Sequence, residues 1–370
     1  MTAAMSEEGK AGALNTLDTI VFEPAILERS LFSKVDNWIA SRGEFSLPCL
    51  PALLDSYLTR VQNIFTLLGL FPCDEDFATL RQVLEKRLEE GFRASPFSKI
   101  RVEYETPNYP MGPVTTFSEL RIHTVVATME DKYKNWLHTR KPPFFGSHPD
   151  AKVIDCIVAE EQVKRSLTVL DVGAGTGRNS FPIARRGHQV HALEVTPDFA
   201  DRMAQDAQSQ SLPVRVIQGD IIDAKVELST VTYDVVLVVE VISHFRTVDE
   251  VRSLFQRVSQ ILKPGGKLVC NTFLPVAGYQ PDQLVREMSQ FMWSSLFLRE
   301  EIEGAINPLP FRLLSDELVY SYEKERLPED AWPPTGWFEN WSLGRNLFPV
   351  MDQRPPVELR WLVFEKVAIF

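Results

Sequence analysis

The sequence predicts an α/β protein with a doubly wound, mostly parallel sheet, preceded by a helical extension. Three observations predict it. From about residue 150, short runs of β-formers alternate with amphipathic runs, which is the texture of a parallel sheet wrapped by helices. One of those runs, YDVVLVVEV (233–241), is almost wholly apolar, as a strand buried on both faces must be. A third run, ending LDV, passes directly into the glycine-rich turn GAGTG, residues 173–177, and from there into a helix.

The elements follow in order. Residues 1–28 are read as a flexible lead-in, residues 29–149 as a helical region and residues 150–370 as the sheet domain. In the helical region Leu54, Leu58, Val61, Phe65 and Leu68 form one apolar stripe at spacings of three and four. Phe77, Leu80, Leu84 and Leu88 form a second. The proline- and glycine-bearing stretch 92–113 reads as loop, and a third long helix is expected over about 115–139. KPPFFGSHP (141–149) is a stiff connector. Then LTVLDV, HQVHALEV, PVRVIQGD, YDVVLVVEV and KLVCNTF read as five strands, with helical runs after all but the third. Thr196 with Pro197, and Thr247 with Glu250, mark two helix starts. LLSDELVYSYEKE reads as a sixth strand with its approach, and ELRWLVFEKV (358–367) as the last. Between these two lies an aromatic insertion, 325–356, holding Trp332, Trp337, Phe338, Trp341 and Phe348. A loop that rich in aromatics is either functional or a satellite apolar cluster.

Composition narrows the partners. The net charge of −11 repels phosphate backbones and anionic membranes, so neither is expected to bind. The N-terminus carries no apolar leader and no run is long enough to span a bilayer. The four cysteines form no C-x-x-C pair, consistent with a reduced, cytoplasmic chain without a metal site. A monomer or homodimer acting on a small molecule is expected.

The glycine turn discriminates between cofactors. A dinucleotide site requires G-x-G-x-x-G, and counting from Gly173 the third glycine is replaced by Arg178. Asp171 stands ahead of the turn, where a carboxylate opposes a pyrophosphate at the helix N-terminus. A cofactor without phosphates, cationic in that region, suits the turn better. Glu194 ends the second strand 21 residues past Gly173, where an acid can bond ribose hydroxyls.

D-x-G-x-G-x-G at 171–177 resembles the first motif of the class I S-adenosylmethionine-dependent methyltransferases. Glu194, Asp220 in IQGDIID, VVEVISHF and LKPGGKLV follow in that family's order. The resemblance implies a seven-stranded sheet and S-adenosyl-L-methionine as cofactor. It implies contacts to the cofactor from Asp171, Gly173, Ala174, Gly175, Gly177 and Asn179. Glu194 and Val195 fall at the ribose, Asp220 and Ile221 at the adenine, and Glu240 at the end of the fourth strand. GAGTGRNS and GHQVHALEVT are also similar to methyltransferases acting on small, soft nucleophiles. The helical region would then cover the substrate side as a lid, with Tyr104, Tyr109, Tyr133, Trp136, Phe144 and Phe145 as candidate aromatic walls. Tyr109, Phe145, His148 and Trp337 are the candidate substrate contacts.

His244 is the first candidate for a general base, because it lies just beyond the fourth strand, at the ligand-binding edge of such a sheet. Glu240 is the second. His188 and His191 flank the second strand and are read as structural. The expected reaction is in-line methyl transfer to nitrogen or oxygen of a small metabolite, which needs alignment and exclusion of water more than acid–base chemistry. Two alternatives stand: methylation of a protein side chain, and cofactor binding without catalysis.

Overall fold

The computed structural model describes residue 24 and residues 42–67, 73–105, 120–228, 232–350 and 352–368. The lead-in expected at 1–28, residue 24 apart, and the candidate substrate contact Tyr109 lie outside the described residues.

The N-terminal region is not purely helical. Strands β1 (Arg42–Pro48), β2 (Lys99–Glu105) and β3 (Leu120–Val125) form an antiparallel sheet in the order β1-β2-β3. Helices α1 (Leu54–Leu67) and α2 (Asp74–Ala94) pack against it. Ile100 and Val102 of β2 meet Leu84 and Leu88 of α2 in one core, while Lys99 and Arg101 between them face solvent. That period-two alternation makes KIRVEYE a strand. The helix expected over 115–139 is corrected likewise: LRIHTV pairs with β2, and α3 starts only at Met129 and runs to Thr139. Its start is a capping box, in which Thr128 Oγ1 accepts from the Asp131 N–H and Asp131 accepts from the Thr128 N–H.

The main sheet has seven strands in the order β6-β5-β4-β7-β8-β10-β9. These are β4 (Thr168–Val172), β5 (Gln189–Glu194), β6 (Val214–Gln218), β7 (Tyr233–Val238), β8 (Leu262–Pro275), β9 (Phe311–Leu318) and β10 (Val357–Lys366). β10 runs antiparallel to both neighbours, and the pairs from β6 to β8 are parallel. Helix α4 (Ala151–Glu161) leads into β4, helices α5 (Ser180–Arg185), α6 (Pro197–Ser209) and α7 (Val248–Ile261) are crossovers, and α8 (Gln283–Phe291) and α9 (Arg299–Ile306) follow β8. Val235, Val236, Leu237 and Val238 of β7 have no exposed surface, as a central strand covered on both faces requires. The sixth strand ends at Leu318, and the rest of the segment expected to flank it is helix α10 (Val319–Arg326). The aromatic insertion contains a short helix, α11 (Phe338–Ser342), whose Phe338 and Trp341 are buried against the sheet. Among the described residues no helix is long and apolar enough to cross a membrane.

The two parts are tied by polar contacts. The Ala52 N–H donates to Glu287 Oε2 at 2.9 Å. The Arg246 guanidinium donates to the Arg93 carbonyl at 2.9 Å and also to that of Phe92, at the carboxyl end of α2, where a cation is favoured.

Leu84 is fully buried between α2 and the small sheet. Leu84→Ala is therefore expected to lower the unfolding free energy by about 2–5 kcal/mol, read from the denaturant midpoint. A loss below about 1 kcal/mol would show that this layer is not packed as described.

Candidate functional site

Strand order reverses between β4 and β7: from β4 the chain winds outward through β5 and β6, and from β7 it winds the other way through β8. Such a switch point leaves a crevice at the carboxyl ends of the strands. A cavity of about 290 Å³ occupies it, lined by the turns after β4, β5, β6 and β7.

The turn after β4 holds the glycines in conformations that side chains avoid. Gly173 and Gly175 have φ of +69° and +57°. A Cβ on Gly173 would approach Val241 Cγ2 to 2.5 Å, and one on Gly175 would lie 3.2 Å from the Phe145 ring. The backbone thus comes as close to the cavity as it can. The N–H groups of Gly173 and Ala174 donate to the Leu193 carbonyl at the end of β5. Glu194 fixes the turn from the same strand: its Oε2 accepts from the Gly175 N–H and its Oε1 from the Thr196 N–H, both at 2.8 Å.

Behind the turn lies an ionic bridge. Arg178 donates to Asp150 Oδ1 at 2.8 Å and to Glu240 Oε1 at 2.7 Å, with all three side chains largely buried. Asn179 and Asp150 are doubly bonded to each other. Glu240 has φ of +59°, and its N–H donates to Asn271 Oδ1 at 2.7 Å. Burial favours its neutral form, but the guanidinium beside it keeps that carboxylate committed to the pair. Glu240 thus lines the cavity already paired with Arg178. Asp171 is fully enclosed and accepts from the Ser180 hydroxyl at 2.6 Å. Burial pushes its carboxyl up to about 7 against the opposing pull of Ser180 and Arg178.

Asp171, Gly173, Ala174, Gly175, Asn179, Glu194, Val195, Asp220, Ile221, Glu240 and His244 all line the cavity, as does Phe145. Asp220 is exposed, with its Oδ1 accepting from the Ile222 N–H, and Ile221 beside it is buried. Gly177 does not reach the cavity; it faces a cleft on the other side of the turn. His148 and Trp337 do not reach it either. Trp337 packs on Phe338 and Trp341 in the insertion, so the satellite-cluster reading describes those rings and the substrate reading of Trp337 is corrected. His188 bonds Glu161 and the Leu167 N–H, and His191 bonds the Tyr233 hydroxyl, both structural pairings.

Aromatic rings also line the cavity. Tyr133 of α3 lines the cavity, and its ring contacts those of Trp136, Phe145, Phe199, His244 and Trp293 at centroid distances of 5.1–6.3 Å. Its hydroxyl lies 3.4 Å from His244 Nε2. Burial lowers the His244 imidazolium to about 4, so the ring is neutral at pH 7. Burial shifts the Tyr133 phenol upward, so it stays a donor. Sequence reasoning missed Trp293, Phe199 and the partners of Arg178. Only GRNS, with its arginine inside the turn, hinted at the last.

The donor set fits a cationic, phosphate-free ligand. The carboxyl groups of Asp171 and Glu194 line the cavity near the glycine turn, and Arg178, also there, is already neutralised by Asp150 and Glu240. Residues 169–266 match the methyltransferase domain family. The chain is similar to the ubiquinone biosynthesis O-methyltransferase of Rickettsia canadensis (strain McKiel), 28% identical over 120 residues, 32% of this chain and 48% of that protein. It is similar to the protein of the same name from Rhodopseudomonas palustris (strain TIE-1), 26% identical over 223 residues, 58% of this chain and 77% of that protein. A demethylmenaquinone methyltransferase of Tropheryma whipplei (strain Twist) is 30% identical over 105 residues, 28% of this chain and 41% of that protein. The similarity thus spans about half the length of the first relative and less of the third. Residues 169–266 thus carry a methyltransferase domain, and the turn and strand order around them are those the resemblance to the class I S-adenosylmethionine-dependent methyltransferases implies.

Two outcomes test the site's electrostatics. Arg178→Met leaves Asp150 and Glu240 buried without a counter-charge and should lower stability by about 3–5 kcal/mol. A loss under 1 kcal/mol in chemical denaturation would contradict the bridge. For Asp171 the folded value, about 7, lies above the ordinary aspartate value of about 3.9. The folded state therefore holds the proton more tightly, and the associated stability is lost as pH rises from about 4 through 7. Between pH 5 and 8 the ligand-free protein should lose on the order of 2 kcal/mol relative to Asp171→Asn. Parallel pH profiles of the two proteins would refute the assignment.

Proposed function

We propose that this chain transfers the methyl group of S-adenosylmethionine to an oxygen of a small, uncharged acceptor held under the rings of α3, with nitrogen as the less favoured nucleophile. The observation that carries the reading is the neutral His244–Tyr133 pair in the cavity, which Met129, Phe145 and Phe245 also line. When bound, the cofactor supplies an electrophilic methyl group on a sulfonium centre.

The chain's own residues do the rest. Asp171 and Glu194 favour the positive amino-acid end, and Gly173 and Gly175 let the backbone approach it. Glu194 also serves the ribose, and Asp220 and Ile221 serve the adenine. The rings of Tyr133, Phe145 and Phe199 exclude water and align a planar acceptor. His244 Nε2 accepts the acceptor's hydroxyl proton while the Tyr133 hydroxyl donates to the same oxygen. A base this weak suits a proton that leaves as the oxygen is alkylated, when its acidity rises. The Arg246 guanidinium, although it borders the cavity, is held by the Phe92 and Arg93 carbonyls and Gln290, so among the described residues lining the cavity no free cation invites an anionic acceptor. The name O-methyltransferase carried by two of the relatives supports the oxygen reading. A protein side chain as acceptor would need an open groove, and the aromatic cover disfavours it.

S-Adenosylmethionine at a hundred times its dissociation constant should stabilise the fold by about 2.7 kcal/mol, seen as a thermal shift, with NAD giving none. The reverse pattern would overturn the cofactor assignment. With an acceptor recovered from cell extract and isotopically labelled methyl donor, His244→Ala should lose about 10²-fold or more in turnover. A near-wild-type rate would remove His244 from the reaction.

A further inference from the structure

Trp293 does not line the cavity, yet it has φ of +59°. For a bulky side chain this conformation is strained and persists only where neighbours over-determine it. Those neighbours are specific. The Trp341 indole N–H, from the aromatic insertion, donates to the Trp293 carbonyl at 3.0 Å. The Ser294 N–H donates to the Ser289 carbonyl at 2.8 Å, and the Ser295 N–H donates at 3.0 Å to the carbonyl of Ser243, the residue before His244. The ring so fixed stacks on Trp136 at 5.1 Å and 8°, and meets Tyr133 at 5.1 Å and His244 at 5.4 Å edge-on. Trp136 is itself covered by Arg140 at 3.9 Å.

Resting on the methyl-transfer reading above, we propose that Trp293 is a positioning residue. It holds Tyr133 of the N-terminal region against His244 of the sheet domain, and the aromatic insertion acts at a distance by bracing Trp293 through Trp341. The insertion then has a function without touching the acceptor. Tyr133 and His244 sit on elements joined by no strand pairing among the described residues, and the Trp293 ring contacts both. Removing it would let water reach the imidazole and would part the two groups that serve the acceptor oxygen.

The test is an NMR titration of the 13C-labelled His244 imidazole, together with calorimetric binding of S-adenosylhomocysteine. In the intact protein the imidazole should titrate near 4. In Trp293→Ala it should move upward by a pH unit or more, toward the ordinary histidine range, while S-adenosylhomocysteine affinity changes less than about threefold. Trp293→Phe should restore most of the depressed value. Trp341→Phe, which removes only the indole donor, should give a smaller shift in the same direction and covers the case in which Trp293→Ala does not fold. An unmoved His244 titration in folded Trp293→Ala, or in Trp341→Phe, would overturn the proposal. Failure of the intact protein to bind S-adenosylhomocysteine would strike the proposed function instead, and the imidazole titration would still read the positioning role.

Discussion

The buried bridge from Asp150 through Arg178 to Glu240 is the constraint around which the site is built. It joins the start of α4, the turn after β4 and the end of β7, three points that must converge for the crevice to exist. A guanidinium so enclosed needs both carboxylates, and each carboxylate needs it. Glu240 is held in a strained backbone conformation by this pairing and by Asn271. The consequence reaches the ligand. With Arg178 already answered, the remaining carboxylates give the cofactor end of the cavity a negative bias, which favours an ammonium and a sulfonium over a pyrophosphate. Arg178 where a dinucleotide turn would carry glycine is thus more than a missing small residue. It supplies the charge that organises the turn.

A second layer depends on this one. The small N-terminal sheet and its helices deliver α3, and α3 delivers Tyr133 over the cavity. His244, on a turn just after β7, comes from the other side. Aromatic contacts carry the junction, where a salt bridge would have brought charge among the rings. Arg246 shows the same economy of charge: it borders the cavity, but its donors are used to clasp the last turn of α2.

The sheet domain was legible because its signals are local. Period-two runs, helix caps at Thr196 and Thr247, and the glycine turn each declare themselves within a dozen residues, and the acids at 171, 194 and 220 follow from where strands end. The N-terminal strands were not. KIRVEYE and LRIHTV sit beside proline- and glycine-bearing stretches, and their apolar faces make sense only once α2 lies across them. Trp337 and Trp293 illustrate the other limit. Both are tryptophans near helix ends, and only the fold puts Trp293 between Tyr133 and His244 and Trp337 in a peripheral cluster. Arg178 finds its partners 28 and 62 residues away, a distance over which no local pattern reports.

The central claim is that enclosed carboxylates around the glycine turn select a cationic cofactor. It is tested most directly by proton exchange on binding. S-Adenosylhomocysteine keeps the ammonium that would face Asp171, whose carboxyl is raised to about 7 by burial. Calorimetric titrations near pH 6 in buffers of different ionisation enthalpy should therefore show release of a large fraction of one proton, with affinity rising toward pH 8. The release should vanish in Asp171→Asn. Binding that exchanges no proton, with an affinity unchanged from pH 6 to 8, would contradict the account.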